Sequence, residues 1–244
     1  MFDIFESFEI PSSCKIDKKL HKKQFLENFS LKGDEKRALK ESVESISLKY
    51  LLNSKNINIQ SYTNDEVDYS EVAYIHLELS NDKQYKKIAK IVQKIPYMVV
   101  LIISYHDKFV INICTKRINQ HDKTKLIVEE EYFSPWIEQK SIDEKESAFL
   151  QSLKIKNQSF SNFKHFYHDI LDKLIAFNLS KECISSTSPK ATNKEALAKI
   201  LTLKEQIKEL KNKIKKETHF NQRVVLNIEL KKLHDELHQV MESV

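Results

Sequence analysis

Between residues 71 and 79 apolar and polar side chains alternate, with Val72, Tyr74, His76 and Glu78 on one face and Ala73, Ile75, Leu77 and Leu79 on the other. A period of two predicts a strand with one buried face. The period then changes. Tyr85, Ile88, Ile91, Val92 and Ile95 recur at helical spacing through residues 83–94, and Pro96 closes the helix. The mostly apolar run 98–105 predicts a central strand, His106-Asp107-Lys108 a turn, and residues 109–114 the returning arm of a hairpin, with a further strand over 125–131. Strand, helix and antiparallel meander together predict an α+β fold: a small, largely antiparallel sheet with flanking helices.

Upstream, Gly33-Asp34 opens a helix, since Asp34 can accept a first-turn amide hydrogen bond. Leu39, Val43, Ile46 and Tyr50 then carry the helical spacing to about Asn53, and Ile57 and Ile59 lead into an extended piece. Beyond Trp136, Ala148, Phe149, Leu150 and Leu153 mark a short helix. Phe160, Phe163, Phe166, Tyr167, Ile170, Leu171, Leu174 and Phe177 mark a longer one, whose broad apolar stripe needs a sheet face or a shared core to cover it.

Ser185-Ser186-Thr187-Ser188-Pro189 reads as a linker. The expected division is therefore an α+β body over 1–184, a linker over 185–193 and a coiled-coil-like helical arm over 194–244. In the arm, Leu197, Ile200, Leu203, Ile207, Leu210 and Ile214 follow heptad-like spacing, as do Leu226, Leu230, Leu233, Leu237 and Val240. The two sets share no seven-residue register, so the phase breaks near His219-Phe220-Asn221. The arm either continues through a stutter or turns back as a hairpin, and the absence of Gly or Pro favours a continuous or weakly kinked helix. Left alone, such stripes would face water, so they predict an association surface for a second copy of the chain or for another protein.

Composition narrows the chemistry. With 41% hydrophobic and 31% charged residues in 244, the chain can fold, and its single glycine tilts it toward helix. That same scarcity removes the Gly-rich phosphate loops and the serine-nucleophile elbow. Cys14, Cys114 and Cys183 lie too far apart for a zinc knuckle and suit a reducing compartment. No metal and no cofactor are expected. The longest apolar run is too short to cross a bilayer, and no basic segment precedes the acidic N-terminal stretch, so a cytoplasmic protein with no membrane contact is expected.

A net charge of +5 permits nucleic acid without demanding it. The basic N-terminal patch Lys18, Lys19, Lys22 and Lys23 reads as a solvated charge run or as a phosphate-contacting or partner-docking arm. The segment 115–125 is the most concentrated polar stretch. Its Lys116, Arg117, Asn119, Gln120, Asp122 and Lys123 suit phosphate or carboxylate recognition, although a solvated strand connection explains them as well. His121 and Asp122 could act as acid and base, but no nucleophile stands beside them in sequence. A metal-dependent nuclease would need Glu78 to meet a second carboxylate and a lysine, and no acidic-x-Lys pair follows on the next strand. His76 shares the Glu78 face and could ligate a metal, a role less common for a strand histidine than a surface or hydrogen-bonded one.

Several stretches carry a resemblance to a family. They are residues 18–25, the helix ending near Tyr50 with its Ile57-Asn58-Ile59 exit, residues 74–79, Ile95-Pro96-Tyr97, Lys116-Arg117-Ile118-Asn119-Gln120 with Asp122-Lys123, Phe220-Asn221-Gln222-Arg223-Val224 and Asn227-Ile228-Glu229-Leu230-Lys231. In these the chain resembles the bacterial domain-of-unknown-function family numbered 4391, found in restriction or phage-defence-like loci beside helicases and DNA methyltransferases. The resemblance transfers no catalytic residue. It implies an accessory subunit of a DNA-processing complex whose partner is a helicase, methyltransferase or nuclease subunit. With the arm supplying the association surface, the expectation is a non-catalytic protein acting through assembly; a direct nucleic-acid-binding module is the alternative, and a divergent nuclease a more distant one.

Overall fold

The computed structural model describes residues 3–182 and 193–242. The chain divides into two compact units, Met1–Leu174 and Ile175–Val244. The expected linker falls almost wholly in 183–192, outside the described residues.

The first unit opens with a short helix α1 (Ile4–Ser7), started by the Asp3 carboxylate, which accepts from the Phe5 amide at 2.8 Å. There follow β1 (Lys15–Lys19), α2 (Lys22–Asn28), α3 (Gly33–Ser42) and β2 (Val43–Asn53). After a small separate pair, β3 (Tyr62–Thr63) and β4 (Asp68–Tyr69), come β5 (Glu71–Leu79), α4 (Tyr85–Val92), β6 (Met98–Tyr105), β7 (Lys108–Asn119), β8 (Asp122–Phe133) and β9 (Ile137–Glu138). Helices α5 (Glu144–Ser152) and α6 (Phe163–Glu182) complete it, the last turns of α6 belonging to the second unit.

The main sheet runs β1-β2-β5-β6-β7-β8, with β9 added to β7. Among the described residues only β5 and β6 pair in parallel, because α4 carries the chain back over the sheet between them. The fold is thus the mixed α+β class expected, with a seven-stranded sheet. On one face Phe25, Leu39, Ile88 and Ile91 from α2, α3 and α4 close over Ile46, Ala73, Ile75, Leu101 and Ile103 to form the core.

Residues 43–53 correct the helix expected to run to Asn53: they form β2, a strand between β1 and β5. The misleading spacing has a physical source. Bulges between Val43 and Ser45 and between Leu48 and Tyr50 each insert a residue, so Val43, Ile46, Leu48 and Leu51 join one core at intervals of three, two and three. A bulged strand thereby imitates helical periodicity. Helix α3 starts at Gly33 as expected, and the Glu35 carboxylate adds a bond back to the Lys32 amide at 2.7 Å. Before Ile57 the chain turns, with the Asn56 and Ile57 amides donating to Asn53 O, and the short extended β3 follows.

The second face of β5 is less open than its alternation suggests. Phe8 packs on Tyr74 with ring centroids 5.7 Å apart, and the edge of Phe5 meets His76 at 5.6 Å, so only His76 and Glu78 stay half-buried there. Farther along the sheet, Phe163, Phe166, Tyr167 and Ile170 of α6 are buried. The Tyr167 hydroxyl lies 3.0 Å from Val99 O and 2.9 Å from Cys114 O, where the β6–β7 pairing has ended.

In the second unit α7 (Asn193–Lys216) and α8 (Phe220–Glu242) are separate helices, correcting the preference for a continuous one. A 2.9 Å ion pair joins Lys199 near the start of α7 to Glu236 near the end of α8, so the two run antiparallel. The reversal takes three residues, 217–219, and needs neither Gly nor Pro. The Glu217 carboxylate caps the start of α8 by accepting from the His219 amide at 2.7 Å.

Candidate functional site

The polar segment 115–125 is not a surface loop. Its residues lie in β7 and β8, joined by a turn at Gln120 and His121. Lys116 is 1% exposed, and its ammonium donates to Ile95 O at 3.0 Å and Tyr97 O at 2.6 Å. Burial lowers its pKa to about 8. This overturns its place in a contact patch: the lysine braces the Ile95-Pro96-Tyr97 bend before β6 and cannot reach a phosphate.

The rest of the proposed patch is largely engaged in holding the hairpin. Arg117 Nε pairs with Glu129 at 3.2 Å across the strands. The Asn119 side chain accepts from the His121 amide at 2.9 Å, and Gln120 donates to Asp65 O at 3.3 Å. Lys125 and Thr124, bonded to Asp122, hold that carboxyl down at about 2. Lys123 is exposed.

In the basic N-terminal patch, Lys18 and Lys19 stand exposed on the edge strand β1. Lys22 donates to the carbonyls of Lys40 and Val43 and so ties α2 to the α3–β2 junction, while Lys23 pairs with Glu27 at 3.6 Å.

The association arm needs a related correction. Leu197, Ile200, Leu203, Ile207 and Leu210, expected to await a partner, are buried within the chain. Ile214, Leu226, Leu230, Leu233 and Leu237 are half-buried. Folding back lets one stripe cover the other. Among the described residues a different set remains in water: Leu201 on α7, at 52% exposure, and Val224, Val225 and Ile228 on α8, at 42%, 64% and 55%.

A concave site lies in the first unit, a cleft of about 600 Å³ bounded by Asp3, Phe5, Lys15, Asp17, Lys49, Tyr50, His76, Glu78, Ser104, His106, Asp107 and Gln139, among others. Parallel pairing sets His76 opposite Ile102 and Glu78 opposite Ser104, which brings His76 Nε2 to 2.7 Å from Ser104 Oγ. Glu78 accepts from Ser45 Oγ at 3.0 Å, and Lys49 pairs with Asp17 at 2.7 Å. Desolvation lowers the His76 pKa and outweighs the opposing pull of Glu78. Burial therefore favours the neutral imidazole.

The sequence reading placed His76 and Glu78 on one face but missed Ser104. Twenty-eight residues separate the pair, and only the parallel register joins them. Among the described residues no three His, Cys, Asp or Glu side chains gather to hold a metal ion, so the Glu78 nuclease reading gains no support. A second, apolar groove of about 400 Å³ lies between α2 and the bend braced by Lys116, lined by Phe25, Phe29, Leu48, Ile75 and Tyr97.

The structure thus defines a mixed α+β protein with a polar cleft on its body and a helical hairpin at its C-terminal end. The chain belongs to the family described as Domain of unknown function (DUF4391), whose model matches residues 8–237. No curated protein and no solved structure matches the chain. Among the described residues no helix is long and apolar enough to cross a membrane.

Proposed function

We propose that the protein is an accessory subunit that works by holding a protein partner against the outer face of α8. The observation that carries this reading is the exposure of Val224, Val225 and Ile228, three branched apolar side chains within two turns of a helix on which Leu226, Leu230, Leu233 and Leu237 are half-buried. Branched apolar side chains clustered on an otherwise polar helix mark an interaction face, since burying them against a partner removes apolar area from water. Arg223, Glu229, Lys231 and Lys232 flank them with both signs of charge, a rim suited to a protein surface more than to a polyanion. The partner class is what the family resemblance implies: a helicase, methyltransferase or nuclease subunit of a restriction or phage-defence-like complex, to which the DNA chemistry belongs.

The test is affinity isolation of the full-length chain from native cells beside a V225D/I228D variant. Stoichiometric recovery of a DNA-processing subunit with the wild type and its loss with the variant supports the reading. Equal recovery by both, or no such subunit with either, overturns it. Light scattering of the purified chain detects the competing arrangement, a dimer through the same face. Direct nucleic-acid binding is the weaker reading, because Lys116 is enclosed and Arg117 is paired, leaving Lys18, Lys19 and Lys123 as exposed lysines of the patches with no ion pair found among the described residues.

A further inference from the structure

The polar cleft holds chemistry that docking on α8 does not use. Ser104 Oγ and His76 Nε2 are 2.7 Å apart, the spacing of a nucleophile and its base. Each sits on a central strand of the sheet, so the pair is fixed by the β5–β6 ladder rather than by a loop. Both side chains are half-buried and border a cleft open to solvent.

The surroundings suit a general base. Burial keeps the His76 ring neutral at rest, while Glu78 and, more weakly, Asp3 favour the cation that forms once the ring takes a proton; Lys49 opposes them. A base that is neutral before the step and stabilised as a cation during it is what proton abstraction from serine requires. Lys49 and Gln139 also line the cleft, and both carry donors of the kind that stabilise a developing oxyanion.

The lining selects the substrate. Asp3, Asp17, Glu78 and Asp107 outnumber Lys15 and Lys49, so the cleft disfavours phosphate esters and other anions. Phe5 and Tyr50, stacked with centroids 6.2 Å apart, give it an aromatic wall for an acyl or aryl group.

We propose that Ser104 and His76 form a nucleophile–base pair that hydrolyses a neutral or cationic carboxylic ester. Ser104 Oγ bonds to the ester carbonyl carbon as its proton passes to His76 Nε2. The bond from that carbon to the alcohol oxygen then breaks, the departing oxygen takes the proton from His76, and Ser104 is left acylated. Water adds to the acyl carbon while giving a proton to His76. The bond to Ser104 Oγ breaks, the proton returns to that oxygen, and the carboxylic acid leaves.

The experiment treats the full-length chain with a fluorophosphonate probe, which phosphonylates an activated serine with loss of fluoride, and with p-nitrophenyl acetate. The expected result is a single phosphonyl adduct, mapped by peptide mass to Ser104, and ester turnover at least tenfold above that of S104A and H76Q. Turnover should fall as acid protonates His76, whose charged and titratable neighbours in the cleft are Asp3, Lys15, Asp17, Lys49, Tyr50, Glu78, His106 and Asp107. An unlabelled Ser104 in the wild-type protein overturns the proposal without any variant. Equal labelling in H76Q, with the wild-type circular dichroism spectrum retained, overturns the role of His76.

Discussion

The carbonyl of Tyr97 accepts a 2.6 Å hydrogen bond from the ammonium of Lys116. A side chain that the sequence offers to a phosphate is instead a fully enclosed brace, holding the bend that delivers the chain into β6. Its removal strands two carbonyl groups at once.

Replacing Lys116 with Ala should therefore cost on the order of 3 kcal/mol, combining unsatisfied carbonyls with a cavity, and K116M should cost less because it refills the volume. Urea denaturation of both variants checks this. A loss below about 0.5 kcal/mol in K116A would show that the brace contributes nothing.

The same lysine makes a signed contribution to pH dependence. Its folded pKa of about 8 lies below the ordinary value of 10.5, so between those limits the unfolded chain binds more protons than the folded one. Stability from this group then rises with pH across that window, and the penalty for charging it is fully present below about pH 8. Buried Cys114, pushed up to about 12, acts in the opposite direction above pH 9. The urea midpoint of wild type minus that of K116M should accordingly increase from pH 7.5 to 9.5; a flat difference would refute the shift.

The hairpin gives a distance prediction. Lys199 and Glu236 form an ion pair, whereas one continuous helix would hold them roughly 55 Å apart. Spin labels at these two positions should report a separation below about 25 Å.

Burial and exposure along the two late helices separate structural from docking residues. Ile200, fully buried, should lose about 2–4 kcal/mol on truncation to Ala. Val225, at 64% exposure, should change stability by less than about 0.5 kcal/mol while V225D weakens partner retention. Thermal denaturation alongside the affinity isolation measures both.

Tyr167 joins α6 to the sheet where β6 and β7 part. Tyr167→Phe removes the hydroxyl that serves the Val99 and Cys114 carbonyls and should cost about 1–3 kcal/mol. Hydrogen exchange at the Cys114 amide, which donates to that hydroxyl at 3.4 Å, should accelerate relative to wild type.

Local period alone was enough to determine β5, α4, β6 and the helical character of α6, α7 and α8, because each of these elements packs an uninterrupted apolar repeat. Gly scarcity and cysteine spacing likewise leave the sequence without a Gly-rich phosphate loop or a zinc knuckle. Tertiary structure decided the rest. Two bulges turned the repeat at Val43, Ile46, Leu48 and Leu51 into a strand that reads as a helix, since a residue inserted into a ladder changes the spacing without changing the face. Folding back of α8 covered the stripe that a straight arm would have exposed and left Val224, Val225 and Ile228 outside. Lys116 and the Ser104–His76 pair depend on segments far apart in the chain, and a side chain's neighbours across a sheet are set by register, which no spacing along one strand encodes.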